Sequence, residues 1–250
     1  MGDRRAFPDH RFVAWRAPAS QPSAGVGWCV LDQADRRTLA RPAGGVRQLE
    51  FDLAAVPPLV CVSGVWDVLL QGLADSGGEL DALQMIDSTT IRAHRCAARE
   101  TGGMQFQALG RSRGGFTTKV HLRCNAVGLP VGVVLTAGEA HDVTAYDALM
   151  QQRDSDPGAM LADKGYDSDA IRHDLQDRGA APEIPTNSNR KVQRSVGKRL
   201  YSLRSRIECF IGHLKEQRRI ATRYDKTATS FLGFVLLGCF RLWIRFVHRA

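Results

Sequence analysis

Three carboxylates stand where a charge needs a reason. Asp87 interrupts the β-branched run "LQMIDSTTIRAH" (83–94), Asp163 closes the apolar "MLAD", and Glu208 sits in "YSLRSRIECFIGHLKEQRR" (201–219), a segment otherwise rich in Arg and Lys. A charge in mid-strand is disfavoured unless it finds a partner. The separations, 163 − 87 = 76 and 208 − 163 = 45 residues, are too long for a local motif. Two strand acids and one helix acid can nevertheless converge in a sheet of βαβ type, and converging hard oxygen ligands are what Mg²⁺ requires. Two such ions activate an attacking water or 3′-hydroxyl and stabilise the leaving oxygen of a phosphodiester. A solvated, salt-bridged helix face is the rival reading of the Glu208 segment.

On a helix, Tyr201, Arg204, Glu208 and Lys215 fall within about 60° of one another. Leu203, Ile207, Phe210, Ile211 and Leu214 form a separate apolar stripe. The helix can therefore bury one side and present hydroxyl, guanidinium, carboxylate and ammonium on another. The chain carries a net charge of +8, and residues 181–250 hold 15 Lys and Arg against 4 Asp and Glu, so the preceding part is slightly acidic. A basic block on a folded chain suggests a polyanionic partner, nucleic acid being the commonest. Composition does not separate DNA from RNA or an acidic protein.

The elements that must position these groups follow from pattern. Residues 64–83 read as helical; 83–94, 116–125 and 130–138 read as three successive strands. "DVTAYDALMQQ" reads as a helix capped by Asp142, "GAMLADKGY" as a short buried strand, and "SDAIRHDLQDRG" as a helix with a Ser168 cap and a Gly179 stop. "APEIPTN" is a last short strand, followed by a basic loop and two helices. Three strands and then alternating αβ units imply an α/β fold with a mixed sheet flanked by helices. "SRGG" before Phe116 is a turn without the ending of a phosphate loop.

The six cysteines are scattered without metal-ligand spacing and read as small buried hydrophobes in a reducing compartment. No charged-then-apolar leader opens the chain. "FLGFVLLGCFRLWIRFV" (231–247) is interrupted by Arg241 and Arg245 and reads as a buried terminal helix rather than a membrane span. Asp167 reads as a helix starter rather than a metal ligand, and Tyr166 and Phe116 as core. His141 and Asp142 read equally as a turn and cap or as support behind the carboxylates, and His94 and Lys164 as ordinary polar residues with DNA contact as the alternative.

The spacing Tyr201-x2-Arg204-x3-Glu208-x6-Lys215 matches the Tyr-(2)-Arg-(3)-Glu-(6)-Lys signature of bacterial insertion-sequence transposases with a DDE active site. "IDSTTIRAHRCAA" and "LADKGYDSDAIR" resemble that family's first and second aspartate blocks, and "SRGGFTTKVHLRCNAVGLPVGVVLTAGEAHD" resembles the segment between them. Over about residues 64–247 the chain resembles the insertion-sequence-5-like branch. The resemblance implies a ribonuclease H-like catalytic core at 63–250, with Asp87, Asp163 and Glu208 as a triad for two Mg²⁺ ions, for which Mn²⁺ can substitute. It also implies that Tyr201, Arg204 and Lys215 contact DNA. The activity implied is hydrolysis of a phosphodiester at an element end and transfer of the 3′-hydroxyl to target DNA. The partners would be double-stranded DNA and further copies of the chain, a dimer or higher, in the cytoplasm at the nucleoid and without a membrane. The rivals are a nuclease of the same fold without strand transfer and a non-catalytic DNA-binding remnant.

Residues 1–62 show neither helical nor strand period, and the resemblance stops there. Family members carry a segment like "APWRDLPEAFGNWNSI" before the "GVWD" that stands here at 64–67. Codons for Arg37 to Leu53 can be written so that reading one nucleotide later gives that segment over all 16 positions. The expectation is a shifted reading frame, with poor packing of 1–62, no sequence-specific recognition of element ends and little transposition. The coding DNA is the test: the nucleotides under residues 37–53 should spell that segment in the neighbouring frame, and any other reading ends the idea.

Overall fold

The computed structural model describes residues 65–75, 82–98, 107–153 and 156–247. The segment 1–62, with its frame-shift expectation, lies outside the described residues. The long strand β1 (Leu83–Ala93) is the spine of a seven-stranded mixed sheet. On one side it pairs antiparallel with β3 (Gly115–Asn125), which pairs antiparallel in turn with β4 (Pro130–Ala137) and with the short β2 (Gly110–Ser112). On the other side it runs parallel to β5 (Ala159–Leu161) at its start and to β7 (Thr222–Arg223) at its end; β6 (Ala181–Glu183) continues the sheet beyond β5. The order β4-β3-β1-β5-β6 is the ribonuclease H-like mixed sheet that the resemblance implies.

Side chains alternate across a strand, so each strand feeds two layers. Met85, Ile91, Val120, Leu122, Cys124 and Leu161 face α1 (Val65–Asp75), α5 (Ser205–Lys215) and α7 (Ala228–Val247) in one apolar cluster. Ile86, Met160 and Ala162 face α2 (Tyr146–Gln151) and α3 (Asp169–Asp177) in a second. The helix α7 is long and apolar enough by composition to cross a membrane. It packs Phe231, Val235, Cys239 and Trp243 into the first cluster, and the Trp243 indole donates to the Pro130 carbonyl at 2.8 Å.

Several boundaries differ from the sequence reading. The segment 198–215 is not one helix: α4 (Lys198–Tyr201) passes through a 3-10 turn at Ser202–Arg204 into α5, and α6 (Arg218–Ala221) follows. Asp142 is not a cap. His141 precedes a 3-10 turn at Asp142–Ala145, and the Asp142 carboxylate is taken up elsewhere, by Ser88 and Lys119. Ser168 precedes α3 without a side-chain cap bond, while Gly179 ends that helix region at φ 77° as expected. The short β2 and β7 carry too few residues for a visible period. Cys124 and Cys239 are buried, but Cys96 and Cys209 are exposed, which corrects the uniform reading of the cysteines.

The α2 side of the sheet also buries polar groups. Arg123 donates to Gln84 and, at 3.1 Å, to the Leu149 carbonyl, and His121 Nε2 lies 2.8 Å from Thr136 Oγ1. Burial, with Lys119 nearby, pushes His121 down to about 4 against the opposing pull of Asp142. Between pH 6.5 and 4 the unfolded chain therefore binds more protons than the folded one. The stability that neutral His121 contributes is present above pH 6.5 and is lost as pH falls toward 4, at most roughly 3 kcal/mol. Chemical denaturation of wild type and His121→Gln at pH 7 and 4.5 should show the steeper acid loss in wild type alone.

Candidate active site

Alternation places the two aspartates. Met85 is in register with Leu161 on parallel strands, so two residues further on Asp87 and Asp163 emerge toward the same face, at the edge where β5 ends and β1 continues. Asp87 is 8% exposed, and its Oδ1 accepts from the Ser88 amide at 2.8 Å. Asp163 turns its Oδ1 back to accept from Gly165 N at 2.8 Å, capping the 3-10 turn Lys164–Tyr166.

Glu208 arrives from α5. Ile207, Phe210 and Leu214 are buried against the sheet, each contributing roughly 1.5–3 kcal/mol of transfer free energy before entropy. That docking aims the opposite face at the strand edge. Arg204, one turn earlier, donates from Nη2 to Asp87 Oδ2 at 2.7 Å and from Nη1 to Glu208 Oε1 at 2.9 Å. One guanidinium thus holds two of the three carboxylates, and these become neighbours although Asp87 and Arg204 are 117 residues apart. Tyr201 lies beside Arg204; burial raises its hydroxyl pKa, against the opposing pull of the guanidinium. Lys215 is exposed two turns beyond Glu208, about 10 Å along the axis, and makes no contact with the carboxylates.

Burial pushes the Asp87 carboxyl above the ordinary aspartate range, and the negative charge of Asp163 adds to the rise; Arg204 and the Ser88 amide pull against it. Among the described residues no three His, Cys, Asp or Glu side chains lie at metal-holding spacing. The donor set nevertheless suits a hard divalent cation: all three groups are carboxylates, and Asp87 and Glu208 already share one cationic group, the Arg204 guanidinium.

Sequence reasoning missed the groups on the other side of β1. Ser88 donates to Asp142 Oδ1 at 2.7 Å, and Lys119 Nζ lies 3.1 Å from the same oxygen. A Cβ on Gly165 would lie 2.6 Å from Asp142 Oδ2 and 2.9 Å from Asp163 Oδ1, so the glycine is what lets the two carboxylates flank one turn. The "HD" and "DKGY" strings were visible, but nothing in their spacing linked them. Asp167, read as a helix starter, is instead a fully buried ion-pair centre.

The model of the Transposase DDE domain matches residues 80–243. The chain belongs to the DDE transposase family. A protein named as a transposase for insertion sequence element IS6501 of Brucella ovis is 38% identical over 130 residues, 52% of this chain and 99% of that protein. A second, named for element IS402 of Burkholderia cepacia, is 31% identical over 132 residues, 49% of this chain and 60% of that one. Among solved structures, the piggyBac transposase synaptic complex with hairpin DNA is similar at 10% identity and TM-score 0.41, covering 66% of this chain and 47% of that one. The Mos1 strand transfer complex is similar at 12% identity and TM-score 0.34, covering 72% and 57%. The chain is thus a DNA transposase by family, and the family is generally dependent on divalent metal.

In this transposase Arg204 neutralises a buried carboxylate, and removing one partner of such a pair leaves the other uncompensated. Arg204→Met should destabilise the fold by about 2–3 kcal/mol. Asp87→Asn combined with Arg204→Met should recover most of that loss. Urea denaturation of the two single variants and the double variant measures the coupling.

Proposed function

We propose that Asp87, Asp163 and Glu208 are the catalytic carboxylates of the transposase and hold two Mg²⁺ ions, with Mn²⁺ able to replace them. The observation that carries this reading is the shared guanidinium: Arg204 joins Asp87 to Glu208, with Asp163 on the adjoining strand end. When bound, the metal ions supply Lewis acidity at the scissile phosphodiester. The chain's own residues do the rest. Tyr201, Arg204 and Lys215 follow one another through α4, the 3-10 turn and α5, and this segment binds the phosphate backbone. Arg204 pairs with a phosphate as readily as with a carboxylate, because its planar fork suits both. The buried setting of Asp87 keeps bulk water from its carboxylate.

The reaction is hydrolysis at an insertion-sequence end followed by transfer of the freed 3′-hydroxyl to target DNA, by residues 63–250 assembled as a dimer or higher on double-stranded DNA in the cytoplasm. The non-catalytic remnant is the second reading, and it rests on the frame expected for residues 1–62. A nuclease without strand transfer separates from the transposase by the absence of joined product, and from the remnant by metal-dependent cutting.

The test uses purified protein and labelled element-end DNA, with and without Mg²⁺. Glu208→Gln should abolish cleavage and leave salt-dependent DNA binding nearly intact. Arg204→Ala should weaken binding, because a phosphate partner is gone. Cleavage by Glu208→Gln at the wild-type rate would overturn the catalytic assignment.

A further inference from the structure

The run "TNSNRKVQRSVGKR" (186–199) is uniformly basic in sequence, but the structure divides it into two kinds of cation. Arg190 is spent internally. Its Nε lies 3.0 Å from Asp167 Oδ2 and its Nη1 lies 2.6 Å from Asp169 Oδ1. Lys191, Arg194, Lys198 and Arg199 are exposed, and the side chains of these four make no ion pair among the described residues. Lys164, next to Asp163, is exposed and unpaired in the same way, and its carbonyl accepts from Asn187 Nδ2 at 3.2 Å. The loop is therefore joined to the active-site turn at one end and runs into Tyr201 at the other.

The loop has little regular structure, yet it is tied at every level. Gly197 N donates to Glu183 Oε2 at 3.0 Å, Arg194 N donates to Thr186 Oγ1 at 3.0 Å, and Gln193 donates to the carbonyls of Asn187 and Arg190. Its base rests on Asp167, whose side chain is 0% exposed. That carboxylate accepts from Asn187 N at 2.8 Å and from Arg172 Nη2 at 2.9 Å. Burying a carboxylate is costly unless it is fully paired. Here it is, and these bonds outweigh burial to hold the Asp167 carboxyl below its usual range. The result is an irregular loop held stiff at its base, carrying exposed and unpaired positive charge. A stiff loop loses little conformational entropy when it binds.

We propose that this loop is a preorganised clamp for the phosphate backbone of duplex DNA, with Lys164, Lys191, Arg194, Lys198 and Arg199 as the contacting cations and the Asp167–Arg172–Arg190 network as its anchor. It stands beside Asp163, so the duplex it holds is the one whose strand lies at the carboxylates. The inference rests on the DNA-transposase reading and extends it to a surface outside the helical signature.

The experiment measures fluorescence anisotropy of the full chain with labelled duplex between 50 and 200 mM salt. In the variant K191Q/R194Q/K198Q/R199Q the slope of log K against log salt should fall by about 0.9 per lost phosphate contact, roughly 3–4 in all, with affinity down tenfold or more at the higher salt. R241Q/R245Q, which removes two exposed charges on α7, should leave the slope unchanged; an equal drop per charge would reduce the effect to net charge and overturn the clamp. Arg190→Gln, which touches only the anchor, should weaken binding several-fold with little change in slope, and unchanged affinity would overturn the anchoring. If wild type binds duplex and the four-site variant binds it equally well, the clamp is wrong. If wild type does not bind duplex at all, it is the DNA reading itself that fails.

Discussion

A carboxylate on an inner strand of a sheet is tolerable only with a counter-charge in contact, and in this protein that counter-charge comes from a helix remote in sequence. The Arg204–Asp87 pair therefore binds the two halves of the fold to a common geometry. For Arg204 to reach, α5 must lie flat on the sheet, which is what Ile207, Phe210 and Leu214 ensure. Once it does, the i,i+4 spacing delivers Glu208 to the other arm of the same guanidinium. Packing, charge pairing and site assembly are one requirement here, since relaxing any of them leaves Asp87 buried and unpaired.

Much of this was legible because period and charge pattern are local properties. The three core strands, the α3 stop at Gly179 and the split of the 201–215 segment into an apolar and a polar stripe follow from spacing alone. What could not be read was pairing across distance. Nothing near Asp142 in sequence points to Ser88, and nothing near Asp167 points to Arg190. Asp142 opens a 3-10 turn and Asp167 stands two residues before α3, so a role at a helix start was the natural local reading, and tertiary partners overrode it. The break at Ser202–Arg204 was hidden for the opposite reason, since a 3-10 turn of three residues is too short to show a period of its own in the sequence.

The two faces of the sheet do different work. The face under α5 and α7 is mostly apolar, with Asp87 at its edge and the Arg223–Thr118 pair buried against Phe231, while the face under α2 and α3 carries Gln84, His121 and Arg123 in hydrogen-bonded order. β1 serves both through successive residues: Asp87 toward Arg204, and Ser88 toward Asp142. A shift of one residue in the β1 register would exchange them, placing the hydroxyl on the guanidinium and the carboxylate on another carboxylate. The nine paired rows between β1 and β3 hold that register firmly.

The long reach between Asp87 and Arg204 also sets an order of events during synthesis. The antiparallel strands β1, β3 and β4 are close in sequence and can pair early, whereas Arg204 follows Asp87 by 117 residues. At roughly 5–20 residues per second, the ribosome leaves Asp87 without its cation for on the order of ten seconds. The Arg223 and Trp243 bonds back to Thr118 and Pro130 span 105 and 113 residues and close later still. A nascent chain is therefore a partly formed sheet with two aspartates and no guanidinium. It closes only when its last quarter folds back, so a product cut short before α5 has β1 to β6 but neither β7 nor the guanidinium that pairs with Asp87.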